Sequence, residues 1–244
     1  MIPLKPRFEE YIKKIIPESE FQEFLKFCEK PTRKIIRCNT LKISPNELKK
    51  RLEQKWKILQ PYSDYPEIMI IESQLKPGEL GKNVEHQTGL YYVQELSSMM
   101  SPLALDPKKE DYVLDLCAAP GSKTTQISIM MENSGLIVAN DVKIDRIRAL
   151  VTNLERQGCT NILTTRMDGV QFCERAKQKN LCFTKILLDA PCSGQGVIRS
   201  VDDAGAHRGD RPGQLPTKGP LICTWDSLLY QSLHDSGEMR SHKM

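Results

Sequence analysis

An apolar run, a tight turn and a helix start follow one another within residues 112–123, Tyr-Val-Leu-Asp-Leu-Cys-Ala-Ala-Pro-Gly-Ser-Lys. A short apolar run bounded by turn residues reads as a buried strand, and Asp115 lies inside it. Pro120-Gly121 makes the turn, and Ser122-Lys123-Thr124-Thr125-Gln126-Ile127 opens a helix. Small residues between a strand and a helix N-terminus let backbone N–H groups approach a ligand. An ordinary βα turn would read the same way, so the rest of this half of the chain has to decide.

That half repeats the unit. Leu136–Asp141, Asn161–Arg166 and Lys185–Asp189 are further strand-like runs, separated by helical stretches at 122–132, 143–157 and 168–178. Alternating strands and helices predict an α/β fold with a parallel, doubly wound sheet. Ligands of such sheets bind beyond the carboxyl ends of the strands, where Asp141, Asp168 and Asp189 fall. Asp141 comes 20 residues after Gly121, a spacing that suits a carboxylate accepting hydrogen bonds from ribose hydroxyls. The region has neither Gly-x-Gly-x-x-Gly nor a Gly-Lys-Ser/Thr phosphate loop. A nucleoside without phosphates is therefore the better guess, and S-adenosylmethionine (SAM) is such a ligand.

Two motifs carry a resemblance: Asp115-Leu-Cys-Ala-Ala-Pro-Gly-Ser-Lys-Thr-Thr-Gln and Asp189-Ala-Pro-Cys-Ser-Gly. Together they resemble the SAM-dependent RNA cytosine-5 methyltransferase family. Gly-Leu-Tyr-Tyr-Val-Gln-Glu at 89–95 and the Gly-Ser-Lys form of the first motif are most similar to bacterial enzymes that methylate 16S ribosomal RNA. The resemblance runs over about residues 30–200. It implies a Rossmann-like sheet in the order 3-2-1-4-5-7-6, of which only strands 1–4 are readable here. It also implies cofactor binding by Cys117, Ala118, Ala119, Pro120, Gly121, Ser122, Lys123, Asp141, Asp168 and Asp189.

The family chemistry adds a cysteine thiolate to carbon 6 of cytosine, so that carbon 5 can take a methyl group, and it requires an accessible thiolate. The base must also leave its stack. By resemblance Cys192 assists product release, and the nucleophile belongs to a later Thr-Cys motif that this sequence lacks. Cys223 stands in the reversed order Leu-Ile-Cys-Thr-Trp. DNA cytosine methyltransferases attack with the cysteine of a Pro-Cys pair, which leaves Cys192 as a second possibility. Methyl transfer to ribosomal RNA is the expected function. Binding of SAM or RNA without turnover, and methylation of transfer RNA, are the alternatives.

Charge bears on the substrate. Residues 1–60 hold 15 Lys and Arg against 8 Asp and Glu, net +7, whereas the remaining 184 residues hold 20 against 23, net −3. A basic first quarter suits a polyanion, and a solvated helix surface would look alike. Helices are expected at 5–16 and 18–29. Ile35–Leu41, Trp56–Leu59 and Ile68–Ile71 are expected strands. Ser44-Pro45-Asn46-Glu47 is a capping box opening a helix at 45–55. This is a small α+β RNA-binding module over 1–106, ending at Asp106-Pro107. Arg37, Asn39, Lys49, Lys50 and Lys55 are its candidate phosphate contacts, and Tyr91 and Tyr92 either line the mouth of the site or pack in the core.

The eight cysteines include no Cys-x-x-Cys pair, so no zinc site is expected. Neither a membrane span nor a signal peptide is read, and the expected location is the cytoplasm. The SAM-binding core is expected over 107–200. Residues 201–220 carry four glycines, three prolines and no apolar period, so 201–244 reads as a non-family, disordered tail. Strand 4 would then be a sheet edge with apolar residues, and reduced stability or aggregation is the expectation.

Overall fold

Two hydrophobic patterns give two sheets, one of each kind. The computed structural model describes residues 6–29 and 33–190, all within one compact unit, Met1–Pro191. The Asp-Ala-Pro-Cys motif beyond Ala190, including Cys192, and the whole 201–244 tail with Cys223 lie outside the described residues.

The first sheet is antiparallel and follows helices α1 (Pro6–Lys13) and α2 (Glu18–Glu29). Its strands are β1 (Lys34–Cys38), β2 (Ile58–Leu59), β3 (Ile68–Ile71) and β4 (Tyr91–Val93), in the order β2-β3-β1-β4. Between them lie α3 (Pro45–Leu52), α4 (Glu79–Lys82) and α5 (Val84–Gln87). α3 begins as its sequence requires: Ser44 Oγ accepts from the Glu47 amide at 3.3 Å, and Pro45 occupies the first turn. Its Leu48 and Leu52 are fully buried with Ile36, Cys38, Met69 and Tyr91 in one core. All four residues of β3 are buried, which explains the unbroken Ile-Met-Ile-Ile run where a one-sided strand would alternate.

The expected strand at 35–41 stops at Cys38. Asn39 Oδ1 accepts from the Leu41 amide at 3.1 Å, folding the chain into a turn. Tyr91 and Tyr92 are both buried, so they belong to the interior and not to an open mouth. Four elements had no sequence signal: α4, α5, β4 and the helix α6 (Leu96–Leu105). α6 contains Pro102, which removes a backbone donor, and Ser101 Oγ donates at 3.4 Å to the Ser98 carbonyl that this donor would have met.

The second sheet is parallel: β5 (Tyr112–Asp115), β6 (Leu136–Asp141), β7 (Ile162–Arg166) and β8 (Lys185–Leu187), in the order β7-β6-β5-β8. This is the 3-2-1-4 order the resemblance implied. Helices α7 (Ser122–Met130), α8 (Ile144–Gln157) and α9 (Gly169–Gln178) make the crossovers. Val113 and Ile137 pack on Ile127 and Met131, while Leu114 and Val138 pack on Phe172 of α9, so β5 and β6 are covered on both faces. The chain runs outward from β5 to β7 and then returns to the other side of β5. That reversal opens a crevice between β5 and β8, where ligands of doubly wound sheets sit.

Candidate cofactor site

The site grows from the end of β5. Asp115 is 1% exposed, and its Oδ2 accepts from Thr124 Oγ1 at 2.7 Å. Burial pushes its carboxyl up to about 6, against the opposing pull of the Thr124 hydroxyl, the Lys123 charge and the Cys117 amide. The turn that follows is held by its carbonyls. Asn140 Nδ2 donates to Leu116 O at 3.1 Å, Asn153 Nδ2 to Pro120 O at 2.8 Å, and Arg146 to Ala119 O. Ala118 donates its amide to Asn140 O at 2.8 Å and accepts from the Gly121 amide at 2.8 Å. With the carbonyls engaged, what the turn and the first turn of α7 have left to offer a ligand is N–H groups.

Gly121 ends the turn at φ 103°, and a Cβ there would come 2.8 Å from Leu150 Cδ1 of α8. Only glycine meets both conditions without strain.

At the end of β6, Asp141 is 2% exposed. Its Oδ1 accepts from the Lys143 amide at 3.0 Å. Its Oδ2 lies 3.2 Å from Arg146 Nη1, an ion-pair distance, yet no donor is aligned on it as a hydrogen bond. A buried carboxylate oxygen with an unfilled acceptor position beside a glycine turn fits a ligand hydroxyl.

The ends of β7 and β8 differ. Asp168 Oδ1 accepts from the amides of Val170 and Gln171 at 3.0 and 3.3 Å, so this acid is the N-cap of α9. Asp189 is half-exposed, and its Oδ2 is 2.5 Å from Lys123 Nζ. Asp115, the 117–123 turn, Asp141 and Asp189 are thus assembled at the ends of β5, β6 and β8. Sequence reasoning missed Asn140, whose side chain also donates to Met167 O at 2.9 Å and so ties the β5 and β7 loops together. An amide in an otherwise apolar strand, next to an acid, was the available signal.

None of the thiols displaced from ordinary titration is activated. Cys38 is pushed up to about 12 and Cys117 to about 11 by burial, and Cys159 and Cys173 are also raised. Cys117 therefore lines the turn as a neutral thiol at physiological pH. Among the described residues no cluster of His, Cys, Asp or Glu could hold a metal ion, and no helix is long and apolar enough to cross a membrane.

Two family models match in tandem: the N-terminal domain of 16S rRNA methyltransferase RsmF over residues 4–96, and 16S rRNA methyltransferase RsmB/F over 102–212. A methyltransferase homologue from Pyrococcus horikoshii is 33% identical, with TM-score 0.66, over 82% of this chain and 68% of its own. The chain belongs to the RsmB/F family. Ribosomal RNA small subunit methyltransferase F of Vibrio parahaemolyticus is 42% identical to the RsmB/F chain over 200 residues, 81% of this chain and 41% of the relative. The RsmB/F chain thus spans about two fifths of the length of the curated relatives it matches. NSun6 from Pyrococcus horikoshii, solved with SFG, shares the fold at 23% identity and TM-score 0.68, over 78% of this chain and 71% of its own.

Two of the residues expected to touch phosphate are interior in the RsmB/F chain. Arg37 is 2% exposed and Asn39 fully buried. Asn39 Nδ2 donates to Gly89 O at 2.9 Å and to Gln157 O at 2.7 Å. Lys55 is engaged by Asn83 at 2.8 Å and Glu85 at 3.4 Å. Lys49 of α3 pairs with Glu53 at 3.8 Å.

Proposed function

We propose that this chain holds SAM at the ends of β5, β6 and β8 and serves methyl transfer to carbon 5 of cytosine in small-subunit ribosomal RNA, in the cytoplasm. The observation that carries the reading is the unfilled acceptor position of Asp141 at the end of β6. When bound, the cofactor supplies an electrophilic methyl group on a sulfonium. Asp141 accepts from its ribose hydroxyls. The turn of Cys117, Ala118, Ala119, Pro120 and Gly121 lines the cofactor, and the amides of Ala119, Ser122 and Lys123 at the start of α7 face its anionic end. Asp189 holds Lys123 at that side. Asp168 contributes through Oδ2, the oxygen not used in capping α9.

Residues 1–106 are proposed as the RNA-binding module and 107–200 as the cofactor-binding core, with 201–244 outside both. Support comes from the net charge of +7 over residues 1–60 and from the tandem family matches. Cys192, three residues beyond Asp189, is assigned to product release, with attack on carbon 6 as its second possibility, and cytosine as the target base rests on the two motifs.

Calorimetry with S-adenosylhomocysteine, the demethylated cofactor, tests the binding part. A hydrogen bond to a charged group contributes about 1.5–3 kcal/mol, so Asp141→Asn is expected to weaken binding about ten- to a hundredfold. Equal heats for both proteins, or none from the unaltered chain, would sink the assignment. Radiolabelled methyl transfer to unmodified small-subunit RNA, with transfer RNA alongside and Cys192→Ala as a comparison, tests the rest. Binding without transfer to either RNA would leave a cofactor-binding protein only.

A further inference from the structure

Arg37 lies in the interior with neutral partners. Its Nη1 donates to Gln94 Oε1 at 2.8 Å and to the Ser122 carbonyl at 3.0 Å, and its Nη2 donates to Thr125 Oγ1 at 3.0 Å. The guanidinium also lies 5.7 Å from the Tyr92 ring centre. Burial lowers its pKa to about 10, so the group is charged at neutral pH although its Nε has no hydrogen-bond partner. A buried cation held by neutral groups is expensive to keep, and an apolar residue would fill a strand position at less cost.

What distinguishes the position is what it grips. Ser122 follows Gly121 directly and opens α7, and Thr125 lies one turn further on. Gln94 extends the contact, since its Nε2 donates to Gln126 Oε1 at 2.9 Å. α8 also holds the turn, through Asn153 and Arg146. The turn is therefore held both by α8 and by a strand whose Arg37 lies 85 residues before Ser122 in the sequence.

We propose that Arg37 is a positioning residue for the cofactor turn: the N-terminal sheet, through this one side chain, fixes the backbone that meets the ligand. The inference rests on the cofactor reading above and adds that a residue remote from the ligand sets the affinity for it. Lysine retains the charge but cannot reach Gln94, Ser122 and Thr125 together, because it lacks the planar fork.

The test is calorimetry with S-adenosylhomocysteine on the full chain, together with hydrogen exchange of the 117–123 amides. Arg37→Lys is expected to bind about tenfold more weakly and to exchange faster at those amides. Thr125→Val removes the Arg37 contact, together with the bond that Thr125 Oγ1 donates to the Ser122 carbonyl at 3.0 Å, with little change of shape, and at least about threefold weaker binding is expected. It decides the matter if Arg37→Lys does not fold. Lys42→Met is the structural comparison. Lys42 Nζ bonds the Thr88 and Arg156 carbonyls at 3.0 and 2.8 Å, between the same two sheets but away from the turn. It should lower the urea midpoint and leave affinity unchanged. Unchanged affinity in Arg37→Lys and Thr125→Val, or equal loss in Lys42→Met, overturns the inference while the cofactor reading stands. No heat from the unaltered chain overturns both.

Discussion

Gly89→Ala is expected to destabilise the protein by about 3–5 kcal/mol, the sum of a left-handed backbone forced on alanine and an overpacked contact. Gly89 has φ 73°, and a Cβ there would lie 1.8 Å from the Arg156 carbonyl oxygen and 2.8 Å from its carbon. These are backbone atoms at the end of α8, whose last turn also accepts from Asn39 and Lys42. Relief would require separating β4 from α8 and would break both bonds. Urea unfolding gives the measurement, with Gly81→Ala as its comparison. A Cβ at Gly81 meets nothing within 4 Å, and alanine is the better helix former by about 1 kcal/mol. Equal midpoints for the two variants would mean that α8 does not approach β4 as described.

The second large effect has the opposite sign. Asp115→Asn is expected to stabilise the protein by about 2–3 kcal/mol at pH 7.5. The folded-state carboxyl is raised from 3.8 to about 6, chiefly by burial. Between those values the unfolded chain has released a proton that the folded chain retains, so stability falls as pH rises through this window. About two pH units at 1.36 kcal/mol each set the size. Asparagine does not titrate, and its side-chain oxygen still accepts from Thr124. The gap between variant and parent should therefore be small at pH 4, open up to about pH 6 and stay constant above. Denaturant midpoints across pH 4–8 measure it, and a gap independent of pH would falsify the burial of this acid. A carboxylate kept at a loss of stability points to use, so the stabilised variant is expected to bind the proposed cofactor less tightly.

In the parallel sheet, β5 and β6 were legible because they are covered on both faces and read as unbroken apolar runs. Ile68–Ile71 of the antiparallel sheet was bounded to the residue, and so was Leu136–Asp141 of the parallel one. Its order followed from the resemblance, not from the pattern. The acids at the strand ends were legible too, but their jobs were not. Asp168 looks like Asp141 in sequence, yet it is followed by the first turn of a helix and caps it. Arg37 and Asn39 were misread because an alternating strand shows which residues leave the core, not whether water or a second sheet receives them. Ile36 and Cys38 point into one core, and the residues between and beyond them meet α7 and α8. α6 stayed hidden because Pro102 breaks the rule by which helices are recognised.

Arg37, Asn39, Lys42, Gln94, Gln126 and Gln157 carry a chain of hydrogen bonds across the join between the N-terminal sheet and the layer of α7 and α8. Such a join tolerates little substitution of partners, because each donor is useful only opposite its own acceptor. Chimaeras that exchange the front half between relatives should therefore assemble only when both columns of the join travel together. A transplant matched for overall similarity alone would strand a guanidinium in the dark.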